Sequence, residues 1–173
     1  MKKKLLQTAM LIFMIGLIIL PITGCKSDRY GNTYVEPEIT VDYLTTEFAD
    51  QITRDGATKI FGTIDTLKDN GNGTFTLGIT GKEFVVDNSQ PNGFYIADQN
   101  KEYQLVLSKS SRAVFFPQGD SSLAEFHLTA ADFMAALEED RSNNPGSDYK
   151  DYQLFYFYVM HDYVELVLQQ YLP

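Results

Sequence analysis

The sequence predicts one mostly β domain with a few helices, of the α+β class. Runs of β-branched and aromatic residues recur between turns rich in Gly and Asn through the middle and the end of the chain. Helical spacing of apolar residues occurs only before the first of these runs and before the last two. The length of 173 residues fits one globular domain and excludes a second large one. An apolar fraction of 44% is typical of a folded chain.

The amino terminus has the pattern of an export signal. Three lysines follow Met1, and an apolar run then extends from Ala9 to Leu20, where Pro21 ends it. A membrane-spanning helix needs about 20 apolar residues, whereas the core of a secretory signal needs only about 7 to 15. The run therefore predicts export of the chain rather than permanent insertion.

The four residues after Pro21 are Ile22, Thr23, Gly24 and Cys25. They resemble the lipobox of bacterial lipoproteins, which has an aliphatic residue, two small residues and an obligatory cysteine. The resemblance implies that a diacylglycerol lipid is attached to Cys25 and that the signal peptide, residues 1–24, is cleaved. Cys25 is the only cysteine, so the mature chain would have no free thiol for catalysis or for binding a metal. A plain signal anchor with an incidental cysteine is the alternative.

The domain organisation and charge follow from this cleavage. Residues 25–40 are polar and without periodicity, which predicts a flexible lipidated tether, and residues 41–173 form the predicted globular domain. Residues 1–24 carry three lysines and no acidic residue, so their removal would change the net charge from −9 to −12. An acidic domain is not expected to bind nucleic acid, and the lipid would have to hold it at an anionic membrane. We expect it at the outer face of the cell membrane.

An amphipathic helix is predicted first, over residues 41–54. Its apolar residues lie three and four positions apart, and Asp55-Gly56 supply a stop. Strands are then predicted at 58–67 and 74–80, separated by the turn sequence 69–73. Gly81-Lys82 is predicted to turn the chain into a third short strand at 83–87.

Three further extended segments are predicted at 94–96, 103–107 and 113–116. The period then changes, because Thr129 can cap a helix whose apolar stripe contains Phe133, Met134 and Leu137. Residues 141–147 are predicted to form a loop.

The last part of the chain predicts a closing hairpin. Two β-rich runs, 152–160 and 163–171, are joined by His161-Asp162. The order of strands, one helix and two final strands resembles a small five-stranded OB-like barrel, here with an extra helix at the amino-terminal end. A half-open antiparallel α+β sheet is the alternative.

No residue pattern in the sequence predicts a metal site or a catalytic centre. His127 and His161 lack metal-binding spacing, and they are interpreted as a strand residue and a turn residue. The run 69–73 lacks the spacing of an EF-hand loop, and hydrolase signatures are missing. The acidic residues at 138–140 and at 148 and 151 are expected to be solvated. We therefore predict a protein that is not an enzyme and has no cofactor beyond the lipid on Cys25.

Aromatic density is the unusual feature of the domain. The chain has 11 Tyr and 12 Phe but no Trp, and tyrosines are concentrated in the closing hairpin. Tyr156 and Tyr158 share one face of its first strand, and Phe155 and Phe157 share the other. One interpretation is that Phe packs in the core and Tyr pairs across strands. The other is a partner-binding face, because Tyr is enriched at interfaces, and its candidate residues are Tyr152, Tyr156, Tyr158 and Tyr163.

The functional prediction combines the anchor with this face. The lipobox, and a closing hairpin that ends Gln170-Tyr171-Leu172-Pro173, are similar to those of small lipoproteins of Gram-positive bacteria. We expect a membrane-anchored extracytoplasmic lipoprotein that acts as a non-catalytic binding or scaffolding module for an envelope protein. A receptor for a small ligand or a glycan is the second hypothesis, and a hydrolase is the third.

Overall fold

The computed structural model describes residues 37–146 and 148–172. The predicted signal peptide 1–24, the lipobox residues Ile22, Thr23 and Gly24, the lipid-bearing Cys25 and most of the tether 25–40 lie outside the described residues. Within the described ranges, no helix is long and apolar enough to cross a membrane.

A helical segment opens the described chain, and its position confirms the predicted helix. It consists of an α-helical turn Val41–Tyr43, a π-helical stretch Leu44–Phe48 and an α-helix Ala49–Arg54, and we call the whole segment α1. Thr40 caps it, because its hydroxyl accepts a hydrogen bond from the amide of Tyr43 at 3.1 Å.

Strands make up most of the remaining chain, with two later helices. Thr129 caps the predicted second helix through the amide of Asp132, at 3.1 Å. We number that helix α2 (Ala130–Asn143), and the short helix α3 (Tyr149–Tyr152) follows it. The strands are β1 (Thr58–Asp69), β2 (Phe75–Val86), β3 (Phe94–Phe115), β4 (Glu125–His127), β5 (Leu154–Met160) and β6 (Tyr163–Gln170).

Two sequence predictions for the central strands were wrong. Gly81-Lys82 does not turn the chain, because β2 continues through it with a shift of register against β3 between Thr80 and Lys82. The three segments predicted between 94 and 116 form one strand of 22 residues. Two polar stretches interrupt its apolar pattern, and both lie at register shifts: residues 99–101 have no partner in the register with β2, and residues 108–111 have none in the register with β6.

The sheet is mixed and closes on itself in part. β1 pairs with β2, β2 with β3, β3 with β6, β6 with β5, and β5 with β1, so that five strands complete a ring. The pairing of β3 with β6 is parallel, and the other pairings in the ring are antiparallel. The three-residue strand β4 adds to the end of β3. The mostly β prediction is therefore confirmed, and the sheet is not purely antiparallel as the alternative required.

Two apolar cores lie on opposite sides of the β5–β6 hairpin. The inner core holds Phe155 and Phe157 together with the buried face of α2, including Phe133 and Leu137. The outer core lies between α1 and the other face of the hairpin, and there Tyr158 is only 6% exposed. The prediction that β5 places Phe on one face and Tyr on the other is confirmed. The turn residues His161 and Asp162 both have positive φ, 50° and 68°, as a tight two-residue hairpin turn requires.

Candidate functional site

β1 and β2 pair along part of their length and then separate. They pair from Asp69 and Phe75 as far as Gly62 and Gly81, which lie opposite each other. Before Gly62, residues 58–61 of β1 pair only with β5. Beyond Gly81, residues 82–86 of β2 pair only with β3. We call this separation the fork, and each of its two arms leaves one strand edge without a partner among the described residues.

The two glycines at the vertex of the fork allow backbones to approach closely. A Cβ atom on Gly62 would overlap the carbonyl oxygen of Thr80 and lie 2.9 Å from Cγ2 of Ile79. A Cβ atom on Gly81 would lie 3.0 Å from the carbonyl oxygen of Lys101 and 3.0 Å from the ring of Tyr103. A glycine inside a strand commonly marks such a close approach or a bulge. The missing side chains therefore let the strands meet at this point, after which they diverge.

A cavity of about 250 Å³ lies between the two arms, and we call it the fork cleft. Its walls come from the free edges, with residues 59–61 of β1 on one side and residues 82–84 of β2 on the other. Gln99, Tyr103 and Tyr156 complete the lining. Backbone without a strand partner is thus combined with aromatic and charged side chains in a single cleft.

Aromatic rings and an ammonium group are stacked on the β1 side of the fork cleft. Phe61 and Tyr156 stack with their ring centroids 4.6 Å apart, and Nζ of Lys59 lies 3.8 Å from the centroid of Tyr156. Such cation–π contacts are typically worth about 0.5 to 2 kcal/mol. Desolvation against the rings lowers the pKa of Lys59, although its side chain stays accessible, and burial raises the pKa of Tyr156. Among the described residues, Lys59 has no carboxylate within 4 Å.

The opposite side of the cleft is a two-stranded ribbon, formed by residues 82–86 of β2 and 94–98 of β3. Phe84 and Phe94 stack on one of its faces with centroids 4.6 Å apart. Phe84 is 37% exposed and Val86 is 73% exposed. Lys82 and Asp98 form an ion pair at the base of the ribbon. This face of the ribbon therefore presents apolar side chains to solvent beside the cleft.

The structure separates the four tyrosines that the sequence selected. Tyr156 is half-buried and lines the fork cleft, whereas Tyr158 lies beneath α1 in the outer core. Tyr152 is 72% exposed at the end of α3, and Tyr163 is 45% exposed where β6 begins. Because Tyr163 pairs with Met160, the last residue of β5, and Tyr152 precedes the first, these two tyrosines lie near opposite ends of β5. The tyrosines thus do not form one continuous face.

Sequence reasoning did not select the residues that surround Tyr156 in the cleft. Lys59 and Phe61 were part of an ordinary strand pattern, and Phe84 was placed on a separate strand. The usable signal was a pair of glycines, Gly62 and Gly81, inside runs of β-forming residues. Their meaning depends on which strands pair, and the sequence does not reveal this.

A second cavity, of about 430 Å³, lies over the outer face of β1, β2 and β3. Gly78 pairs with Thr66 on one side and with Gln104 on the other, and the hydroxyl of Thr66 occupies the space that a Cβ atom on Gly78 would take. We call this cavity the trough. The lining includes the carboxylates of Asp65 and Glu102. Asp65 accepts a hydrogen bond from the hydroxyl of Thr80 at 2.5 Å. Tyr103 lines both this trough and the fork cleft.

The expectation that Asp140 is solvated was wrong, since this residue is only 5% exposed. Its carboxylate accepts hydrogen bonds from the hydroxyl of Tyr149 at 2.7 Å, from Nε2 of Gln153 at 2.8 Å and from the amide of Gln118 at 2.8 Å. Arg141 beside it donates from Nε to Gln153 and from Nη2 to the carbonyl of Ile64. Burial, followed by the bond to Asp140, raises the pKa of Tyr149. The cluster joins α2 and α3 to β1, which is a structural role.

The two histidines lie apart, in β4 and in the β5–β6 turn. The side chain of His127 is 12% exposed, and its Nε2 has no hydrogen-bond partner and lies 3.7 Å from Glu125. Burial lowers its pKa, although Glu125 and Asp132 act in the opposite direction. Across residues 37–146 and 148–172, no group of three or more His, Cys, Asp and Glu side chains is placed to hold a metal ion.

Comparison of the chain with protein-family models, with curated proteins and with solved structures finds no match.

Proposed function

We propose that the protein is a membrane-anchored extracytoplasmic lipoprotein whose domain is a non-catalytic binding module for an envelope protein. The observation that carries the binding role is the fork cleft, where two unpaired strand edges and the aromatic residues Phe61, Phe84 and Tyr156 surround one cavity. Unpaired edges and exposed aromatic groups are features that proteins normally cover unless a partner uses them.

We also propose that the domain is an OB-like barrel. In the ring, the first three strands β1, β2 and β3 are followed by β6 and then β5, and one pairing is parallel. The helix α2 lies between the third strand and the last two, as in an OB-type barrel. The segment α1, the short β4 and the ribbon are additions to that plan. Proteins of this architecture generally bind ligands on the outside of the barrel, which agrees with a role in binding.

The anchoring part of the proposal is supported by the lipobox Ile22-Thr23-Gly24-Cys25 and by the lysines and apolar run that precede it. It is tested by metabolic labelling with a radioactive fatty acid. The wild-type chain should incorporate the label and partition with membranes, and Cys25→Ala should do neither. Equal labelling of the two chains would contradict lipid attachment at Cys25.

The binding part is tested by crosslinking in cells from within the fork. A photoreactive benzoylphenylalanine in place of Phe84 should give a discrete crosslinked product with an envelope protein upon irradiation. The same group in place of Leu123, which is 48% exposed in a short helical turn, is the matched control and should not give that product. Identical products from the two positions would show that the fork is not the contact surface.

A glycan receptor is the second candidate function, and the trough over Gly78 favours it. Carboxylates and an amide, such as those of Asp65, Glu102 and Gln104, are suitable hydrogen-bond partners for sugar hydroxyls, and Tyr103 offers a ring nearby. A thermal-shift panel of envelope glycans tests this function. A glycan that raises the melting temperature of the wild type and not of Gln104→Ala would support it.

A further inference from the structure

We propose that the fork cleft binds an extended peptide segment of a partner protein by strand addition, with an acidic side chain of that segment facing Lys59. This inference rests on the proposed function, because it names the class of partner that the binding module takes.

The first support is the length and composition of the two open edges. Residues 58–61 read Thr-Lys-Ile-Phe and residues 82–86 read Lys-Glu-Phe-Val-Val, and neither stretch contains a proline to block a further strand. The amide and carbonyl groups of a strand point alternately to its two sides, so an edge paired on one side still presents main-chain groups on the other. Each arm of the fork can therefore pair with a segment of about four or five residues.

The second support is the chemistry of the two walls. The stack of Phe61 on Tyr156 and the stack of Phe84 on Phe94 stand on opposite sides of the fork. Side chains of an added strand alternate in direction, so that every second residue of the segment would face apolar surface. A glycan could stack on these rings, but it could not continue the main-chain hydrogen bonding of the strand edges.

The third support is charge. Nζ of Lys59 lies over the rings of Tyr156 and Tyr158, at 3.8 and 5.4 Å, and among the described residues no carboxylate pairs with it. Among the described residues, the other charged groups that line the cleft are Lys82, which is paired with Asp98, and Glu83, which lies more than 4 Å from Nζ of Lys59. A carboxylate on the bound segment would give Lys59 the charge-assisted hydrogen bond that it lacks among the described residues.

The test uses the full chain purified in detergent, with phage-displayed random 12-residue peptides as the probe. Selected peptides are synthesised with a fluorophore, and their affinity is measured by fluorescence anisotropy. We expect acidic sequences with apolar residues at every second position. N-methylation of the peptide main chain should reduce affinity at least about tenfold at one alternating set of positions if the segment pairs with one arm of the fork, and at both sets if it pairs with both arms, because a methylated nitrogen cannot donate to a strand edge.

Variants of the protein locate the binding. Lys59→Gln should weaken the binding of acidic peptides about tenfold, the usual scale of a lost charge-assisted bond. Lys150→Gln, on the short helix α3, is the matched control and should leave affinity unchanged. Phe84→Ser should weaken binding by a similar factor, with Leu123→Ser as its control. Circular dichroism verifies that each variant stays folded.

Results that contradict the peptide proposal can be told apart from results that contradict the proposed function. Strand addition would be overturned if the selection yields no peptide, if N-methylation has no effect at any position, or if neither Lys59→Gln nor Phe84→Ser changes affinity. It would also be overturned if only a glycan, or only a second copy of the chain, binds in the cleft. A crosslink from Phe84 combined with any of these results would leave the binding module standing without the peptide. An unlabelled Cys25 combined with the expected N-methylation pattern would remove the membrane anchor and keep the peptide site.

Discussion

The β6 side of the ring and the fork side differ in how their strands are covered. β6 pairs with β5 on one edge and with β3 on the other, and from Val164 to Gln169 its side chains are buried except for the half-buried Glu165. At the fork, β1 and β2 stop pairing with each other after the residue pair Gly62 and Gly81, so each strand has a neighbour on only one edge beyond that pair. The comparison shows that one small domain can bury a strand on both edges on one side and leave strand edges unpaired on the other.

The largest loss of stability is expected in β5, which pairs with both β6 and β1. Its neighbouring residues Phe155 and Tyr156 point to opposite faces of the sheet. Phe155 is fully buried, and Phe155→Ala should lower the free energy of unfolding by about 3 to 5 kcal/mol because it leaves a cavity in the inner core. Tyr156→Ala, on the cleft side, should cost clearly less. Urea denaturation of both variants measures the difference, and equal losses would contradict the distinction between the fully buried Phe155 and the half-buried Tyr156.

A smaller effect is expected at the vertex of the fork. Gly62→Ala adds a Cβ atom that overlaps the carbonyl oxygen of Thr80, so the strands must move apart, at a cost of about 1 to 3 kcal/mol. Gly146→Ala is the matched control, because a Cβ atom there meets nothing within 4 Å and its φ is not positive. Thermal unfolding compares them. If Gly62→Ala is as stable as its control, close approach of the backbones does not determine where the strands separate.

The smallest effect concerns pH and lies at the closed end of β3. Burial lowers the pKa of His127 in the folded protein below its unfolded value of 6.5, against the opposing charges of Glu125 and Asp132. The unfolded chain therefore takes up this proton first as the pH falls, so the contribution of neutral His127 to stability should decrease below about pH 6.5. The difference in unfolding free energy between pH 7.5 and pH 5.5 should be smaller in His127→Gln. An unchanged difference would mean that His127 is equally protonated in both states.

Local patterns predicted the elements that depend on neighbouring residues. The helical spacing of 41–54, the Thr129 cap and the two faces of β5 each involve residues a few positions apart. The course of β2 through Gly81 could not be predicted, because the reason is its contact with Lys101 and Tyr103, about twenty residues further along. The fork could not be predicted for the same reason, because it depends on which strands pair with each end of β1, and these strands are distant in sequence.

The burial of Asp140 was predictable in part. It lies three residues after Leu137 and seven after Phe133, and so continues the buried stripe of α2. Because its side chain is acidic, we predicted that it is exposed to solvent. The hydrogen-bond partners that compensate for its burial come from other segments and are Tyr149, Gln153 and Gln118.

The pairing of β1 with β5 has a consequence for the order of folding. Lys59 pairs with Tyr158, about a hundred residues later, so ring closure must wait until nearly the whole chain is available. Contacts between residues so distant in sequence slow folding, and domains dominated by them typically fold in milliseconds to seconds. Until β5 arrives, residues 58–61 lack a strand neighbour on either edge, and the chain is most vulnerable to aggregation during this interval.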